Sequence, residues 1–428
     1  MSSAPLIDRR IEPVLRRYLR TFRVVALLGP RQSGKTTLAR RVADGGVFLS
    51  LDNPDLLQAA RDDPVGFVSD RPRPVAIDEV QRGGDDLLRA IKLAVDAEGS
   101  KGSFLLTGST NLLTVPHLSE SLAGRMGIVE LAPFSVSEAV GAQTAGLWAW
   151  ISEHSKAGGN ISDRYSGLLD QSASSHSRSD YAELICAGGY PEVQELSGAE
   201  RTAFLRSLLS TIVARDIREV SGARRTVELP RIAAALAART AGELVVEDVH
   251  RDTSFGSSQT TADYLAFLEM AYLTVSLPAW STNAATRVKR RPKLHMADSA
   301  MAAALLGATP DSLSDPADPL RGPLHETFTA NEVRKQISFT ADGATLHHFR
   351  DRRGREVDLV VRLSDGRIVG IEVTAAMRAH GSKADTLRWL HDLLGGRFEF
   401  GIVLYGGEQP LRLAERIYAL PMSFLWET

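Results

Sequence analysis

One cysteine, Cys186, stands among 428 residues, so neither an internal disulfide framework nor a Cys-rich zinc module can be built. The ten histidines are scattered, with no HExxH or CxxC…H spacing, and the adjacent His347 and His348 face opposite sides of a strand. No apolar run approaches the roughly 18 residues of a membrane span, so no membrane partner is expected. Asp8, Arg9 and Arg10 interrupt the N-terminus before any apolar stretch, which argues against a secretory leader and for a cytoplasmic location. An excess of one charge is also missing: 50 Lys and Arg against 52 Asp and Glu leave a net −2. Any contact with nucleic acid must therefore come from a local patch. The rest is ordinary globular composition, 43% hydrophobic and 24% charged.

From Ile7 to about Val140, short apolar runs alternate with helix-length segments. Val24–Gly29, Val47–Asp52, Val75–Asp78, Phe104–Gly108 and Ile128–Leu131 read as five strands of a parallel α/β sheet. Residues 141–180 lose this pattern, and their Ser-rich run Asp170–Ser179 predicts an exposed, flexible insertion. Residues 181–230 read as a helical lid or linker. Residues 231–322 predict a winged-helix-like unit, and 323–428 a further α/β domain of helix, three strands, helix and strand.

Gly29-Pro30-Arg31-Gln32-Ser33-Gly34-Lys35-Thr36 fits GxxxxGK[ST] between a strand and a helix, the context a phosphate loop requires. Backbone amides of Gly29–Thr37 are expected to cradle phosphates at a helix N-terminus. Lys35 would reach the β- and γ-phosphates, and Thr36 would ligate Mg²⁺. Val75-Ala76-Ile77-Asp78-Glu79 places two carboxylates at the end of a central strand. Asp78 would hold the metal, and Glu79 would take a proton from an attacking water. A carboxylate pair in this position favours hydrolysis of ATP over phosphoryl transfer to a metabolite.

Two further segments resemble those of AAA+ ATPases. In Phe104-Leu105-Leu106-Thr107-Gly108-Ser109-Thr110-Asn111, Ser109, with Thr110 and Asn111 next, is similar to a sensor residue between the acids and the γ-phosphate. Arg125, before the fifth strand, is similar in place to an arginine finger acting on a neighbouring subunit, which would imply self-association. With Gly188-Gly189-Tyr190-Pro191, Arg215-Asp216-Ile217, Tyr264–Glu269 and Lys293–Ser299, the chain resembles a large prokaryotic family that joins an AAA+ ATPase to a C-terminal domain of unassigned function. The resemblance implies a P-loop sheet of the AAA+ type, a winged-helix segment and a C-terminal domain with a PD-(D/E)XK nuclease-like fold.

In such a fold Asp358 and Glu372, with Glu326 or Glu332 from the preceding helix, would gather a second metal. Thr374 stands where a lysine is expected, so little DNA cleavage is expected, and Lys383 is the lysine available as a substitute. The segment Arg287–Lys293 (Arg287, Lys289, Arg290, Arg291, Lys293) offers a basic wing for DNA or RNA. Three functions follow: an ATP-driven machine on nucleic acid, a nucleotide-switched regulator or scaffold, and an ATP-gated nuclease.

Overall fold

The computed structural model describes residues 6–109, 122, 124–144, 146–156, 164–217, 229–254, 256–281, 290–379 and 381–428. The first sheet is parallel and contains β1 (Val24–Leu28), β2 (Val47–Ser50), β3 (Val75–Asp78), β4 (Phe104–Gly108) and β5 (Met126–Glu130), in the order β2-β3-β4-β1-β5. Period-2 alternation divides it cleanly. Val24, Ala26, Leu28, Ile77 and Leu106 face the helix Gly84–Glu98. Val25, Leu27, Ala76 and Leu105 face helices Glu12–Thr21 and Lys35–Val42. Burial on both faces explains why these strands are continuous apolar runs.

The middle of the chain packs helices Leu229–Ala237, Val246–Thr253 and Ser258–Met270 on a small antiparallel sheet of order β6-β8-β7. Its strands are β6 (Gly242–Glu243), β7 (Thr274–Leu277) and β8 (Lys293–Met296). The C-terminal sheet is mixed, of order β13-β14-β12-β11-β10-β9. It comprises β9 (Thr345–Arg350), β10 (Glu356–Arg362), β11 (Ile368–Thr374), β12 (Phe398–Tyr405), β13 (Leu411–Ala414) and β14 (Ile417–Pro421). Helix Arg321–Thr340 lies on one face through Leu324, Phe328 and Val333, and helix Gly381–Leu394 lies on the other through Leu387 and Leu390.

One expectation needs correction. The stretch 141–180 is not an exposed insertion where it is described. Trp148 and Ile151 of helix Leu147–Ser155, together with Tyr165 and Leu168, are buried in the core shared with the C-terminal sheet. Even Ser174 is buried, its hydroxyl accepting from Ser423 Oγ at 2.8 Å. The serines hid a spaced set of large apolar anchors. One hydrophobic cluster runs from Val136 to Trp426, and a further cluster with Trp280, Leu387 and Phe398 fills the other face of the C-terminal sheet.

Candidate functional site

The site forms at the C-terminal edge of the first sheet. β1 is followed by Gly29 with φ 153°, where a Cβ would stand 2.2 Å from the Leu131 carbonyl oxygen, so only glycine fits. The loop then turns through Gln32 at φ 61° and Gly34 at φ 92° into helix Lys35–Val42. Lys35 is buried, and its Nζ donates to the carbonyls of Gly29 (3.0 Å) and Pro30 (2.7 Å). The ammonium is thereby held across the loop. Pro30, Arg31, Gln32 and Ser33 complete the turn, and Thr36 and Thr37 begin the helix with exposed side chains.

Because β4 lies between β1 and β3, the polar end of β4 stands between the phosphate loop and the acidic strand. The hydroxyl of Thr36 donates to both Asp78 oxygens, at 3.2 and 3.1 Å. Thr107 makes a short hydrogen bond to Asp78 Oδ1, and Ser50 reaches Oδ2 at 3.4 Å. A carboxylate beside a threonine hydroxyl is a hard-oxygen donor set, so these residues fit Mg²⁺. Glu79 is half-buried in the left-handed region, at φ 54° and ψ 46°. A non-glycine residue held there stores backbone strain, which collects at functional sites. Its carboxylate accepts from Gln81 Nε2 and, at 3.5 Å, from Ser109 Oγ, while its amide reaches Thr107 Oγ1 at 3.4 Å. Ser109 therefore stands beside the acid pair, but Thr107 is the residue that ties Asp78 to Glu79. Thr110 and Asn111 lie outside the described residues.

Arg125 is held elsewhere. Its guanidinium grips Asp96 through Nε at 2.6 Å and Nη2 at 3.0 Å, beside the start of β1. Six residues of extended chain, about 20 Å, separate it from Leu131 at the phosphate-loop edge. It does not meet the phosphate loop of its own subunit.

A residue that sequence reasoning missed stands next to the loop. Arg9, 7% exposed, donates from Nη1 to Ser33 O (2.7 Å), from Nη2 to Ala132 O (2.6 Å) and from Nε to Glu138 Oε1 (3.1 Å). Its only signal was the Asp8-Arg9-Arg10 run. Arg9 borders a cavity of about 800 Å³ whose lining also includes Asp8, Arg10, Glu138, Val140 and Phe339. Phe339 belongs to the C-terminal helix Arg321–Thr340, which therefore helps to wall the cavity. The same helix sends Lys335 Nζ to Phe134 O (2.8 Å) and takes the Val136 amide on Glu332 Oε2 (2.9 Å). The Gly188-Gly189 pair closes this junction. Phe134 N donates to Gly189 O at 2.7 Å, and a Cβ on Gly189 would meet Phe134 O at 2.2 Å.

The second acid cluster has a different character. Lys383 Nζ bridges Asp358 Oδ2 (2.8 Å) and Glu372 Oε2, and the Val373 amide donates to Asp358 Oδ2 (2.9 Å). Lys293 pairs with Glu326 and Glu356 and lies 3.9 Å from Asp358 Oδ1. Burial works against ionised Asp358, but Lys383 and Lys293 outweigh it and hold its pKa below the ordinary value. Burial and the Asp358 charge push Glu326 up to about 8 and raise Glu372 well above the usual carboxylate range.

The metal expected on Asp358 and Glu372 therefore finds lysines in its place. Among the described residues no group of three or more His, Cys, Asp or Glu could hold one. Glu332 is spent on Val136 and Lys335. The basic-wing expectation changes as well. Lys293 is 1% exposed and salt-bridged, so it is removed from any surface, while Arg287 and Lys289 fall outside the described residues. Other arginines, most of them exposed, gather nearby instead. Arg290 donates to Arg350 O at 2.6 Å, which brings Arg290 and Arg291 beside the β9–β10 turn with Arg352, Arg353 and Arg355.

Residues 21–140 match the family described as AAA domain. Residues 178–312 and 321–425 match two families described as domains of unknown function, DUF8612 and DUF4143. The whole chain is 29% identical over 429 residues to the uncharacterized proteins Mb2031c of Mycobacterium bovis and Rv2008c of Mycobacterium tuberculosis, covering 86% of each. Among solved structures, the Walker-type ATPase PABY2304 of Pyrococcus abyssi aligns at 18% identity and TM-score 0.37, over 70% of this chain and 96% of that one. The RuvB Holliday junction branch migration motor of Thermotoga maritima aligns at 20% identity and TM-score 0.29, over 66% and 95%. Overlaps this loose carry no argument about function. The residues that match the AAA domain, 21–140, are those that build the phosphate loop and its acidic strand. No helix among the described residues is long and apolar enough to cross a membrane.

Proposed function

We propose that the protein binds and hydrolyses ATP at this edge and uses its nucleotide state to change contacts between its C-terminal blocks and nucleic acid. One observation carries the hydrolytic reading: Asp78 and Glu79 stand in a frame of hydroxyls from Thr36, Thr107 and Ser109, beside the loop that holds Lys35. Lys35 and the loop amides bind the phosphates. Thr36 and Asp78 hold Mg²⁺, which when bound neutralises charge on the phosphate oxygens. Glu79 accepts the proton of the attacking water, with Ser109 and Gln81 fixing its carboxylate. The cavity beside Arg9 is roomy enough for the nucleoside.

Nucleic-acid contact is supported by the exposed arginines Arg291, Arg352, Arg353 and Arg355 with half-buried Arg290 beside them, a local basic patch on a nearly neutral molecule. A second reading, a nucleotide-switched scaffold acting through protein contacts, draws on the acids capped by Lys383 and on exposed Asp263 and Glu269 of helix Ser258–Met270. Self-association through Arg125 would place that guanidinium on a neighbour's nucleotide.

The test combines nucleotide titration with phosphate release. Lys35→Ala should lose ATP affinity, whereas Glu79→Gln should keep it and hydrolyse about 10²–10⁴-fold more slowly. Unchanged hydrolysis in Glu79→Gln removes the assigned base. Stimulation by DNA or RNA that fades as salt rises supports the nucleic-acid reading. Indifference to both supports the scaffold.

A further inference from the structure

We propose that Arg9 is the positioning residue of the phosphate loop, aiming the Gly34 amide by holding the Ser33 carbonyl, an inference that rests on the ATP-binding reading above. The argument begins with the peptide plane. The Ser33–Gly34 peptide, with no proline, is trans. In a trans peptide the carbonyl and the following N–H point in opposite directions. Arg9 Nη1 takes the Ser33 oxygen at 2.7 Å, which turns the Gly34 N–H the other way, at the start of the helix that the phosphates meet. Gly34 itself sits at φ 92°, a conformation that glycine adopts freely and that needs an outside anchor to stay fixed.

Arg9 is equipped to be that anchor. A guanidinium removed from water is costly unless its donors are paired. Here Nε, Nη1 and Nη2 each have an acceptor, and the Phe134 ring covers the group with its centroid 4.8 Å away. The acceptors are rigid in turn. Glu138 closes a capping box with Ser135, in which Ser135 N donates to Oε2 (2.9 Å) and Glu138 N to Ser135 Oγ (3.2 Å). It also takes the Arg10 amide at 2.7 Å. Lysine could keep the charge beside Glu138, but a single ammonium cannot reach three divergent acceptors in a fixed plane.

A donor aimed by Arg9 serves bound ATP and the transition state alike. Its loss should therefore appear in KM and spare kcat. Arg9→Lys is expected to raise KM for ATP about tenfold, the worth of one charge-assisted hydrogen bond, with kcat within about twofold. A filler that merely supports the fold would lower Tm and leave KM alone, and that result would overturn the proposal. So would a fall in kcat at constant KM. Phe134→Leu removes the ring and none of the Arg9 hydrogen bonds. It should raise KM by up to about threefold, and if Arg9→Lys does not fold, this variant decides by the same criteria. Wild-type protein that binds no ATP would instead sink the nucleotide reading, whereas normal wild-type kinetics with unaltered variants would sink only the role of Arg9.

Discussion

Two acid pairs, Asp78 with half-buried Glu79 at the end of β3 and buried Asp358 with Glu372 within β10 and β11, are partnered in opposite ways. Around Asp78 the partners are hydroxyls from Thr36, Ser50 and Thr107, which stabilise a carboxylate without cancelling its charge. Around Asp358 and Glu372 the partners are ammonium groups, with Lys383 bridging both and Lys293 close behind. A hydroxyl frame leaves negative charge for an incoming cation. A lysine frame supplies the cation from the chain itself, so the charge is spent on holding β8, β10 and the helices Arg321–Thr340 and Gly381–Leu394 together. The same residue types make a chemical site in one place and a structural clasp in the other.

Breaking the clasp should give the larger effect on stability. Lys293 has 2% side-chain exposure and joins Glu326 and Glu356. Lys293→Met would leave buried carboxylates unmatched, at a cost of about 3–5 kcal/mol, read by urea denaturation. A loss below about 1 kcal/mol would mean that these acids find other partners. Titration with Mn²⁺ attacks the comparison directly. A cation equivalent bound by wild type and lost in Asp358→Ala would show that Lys383 yields to metal, and the contrast between the two sites would fail.

The hydroxyl frame should respond in metal affinity instead. Thr107→Val keeps the shape of the side chain but removes its bonds to Asp78 and to the Glu79 amide. Losing such a supporting partner typically costs about 10–100-fold in metal affinity or activity. The Mg²⁺ concentration for half-maximal hydrolysis should rise accordingly, with little change in Tm. Equal loss of stability and metal affinity would make Thr107 a packing residue.

How much of this could be read from the chain depends on the distance between partners. Gly29–Thr36 and Val75–Glu79 were legible because a motif and an apolar strand adjoin in sequence, and the structure brings both to one edge. Ser109 was legible for the same reason, but Thr107 was hidden as one more residue of a buried strand. Arg9 lies 129 residues from Glu138, and Lys293 lies 33 from Glu326, so no local spacing announces either pair. Composition misled over 141–180, where serines outnumber the anchors Trp148, Ile151, Tyr165 and Leu168 that decide packing. The basic run at 287–293 misled in the same way, since a lysine read as surface charge is inward at Lys293.

The smallest expected effect is a slope with pH, and it separates the two acid pairs without altering a ligand. Glu326 is pushed up to about 8 from an ordinary 4.5, because burial and the Asp358 charge outweigh the help of Lys293. Between those values the unfolded chain has lost the Glu326 proton while the folded chain keeps it. Folding then takes up a proton, so stability is fullest below about 4.5 and declines as pH rises towards about 8. One such group gives at most about 1.4 kcal/mol per pH unit. Glu372 adds in the same direction, and the buried His295, His325 and His348 act against it below about 6.5. Lys293 and Asp358 do not add to the slope in this window. Lys293 is raised further above its usual range and Asp358 is held below its own, so both stay charged there. The Tm of wild type relative to Glu326→Gln, which cannot titrate, should therefore fall from pH 5 to 8. Thr107→Val should leave the slope as it is, because it touches only the hydroxyl-framed pair. A difference that is flat or rises over this range would mean that Glu326 is ionised in the fold and that Lys293 balances it.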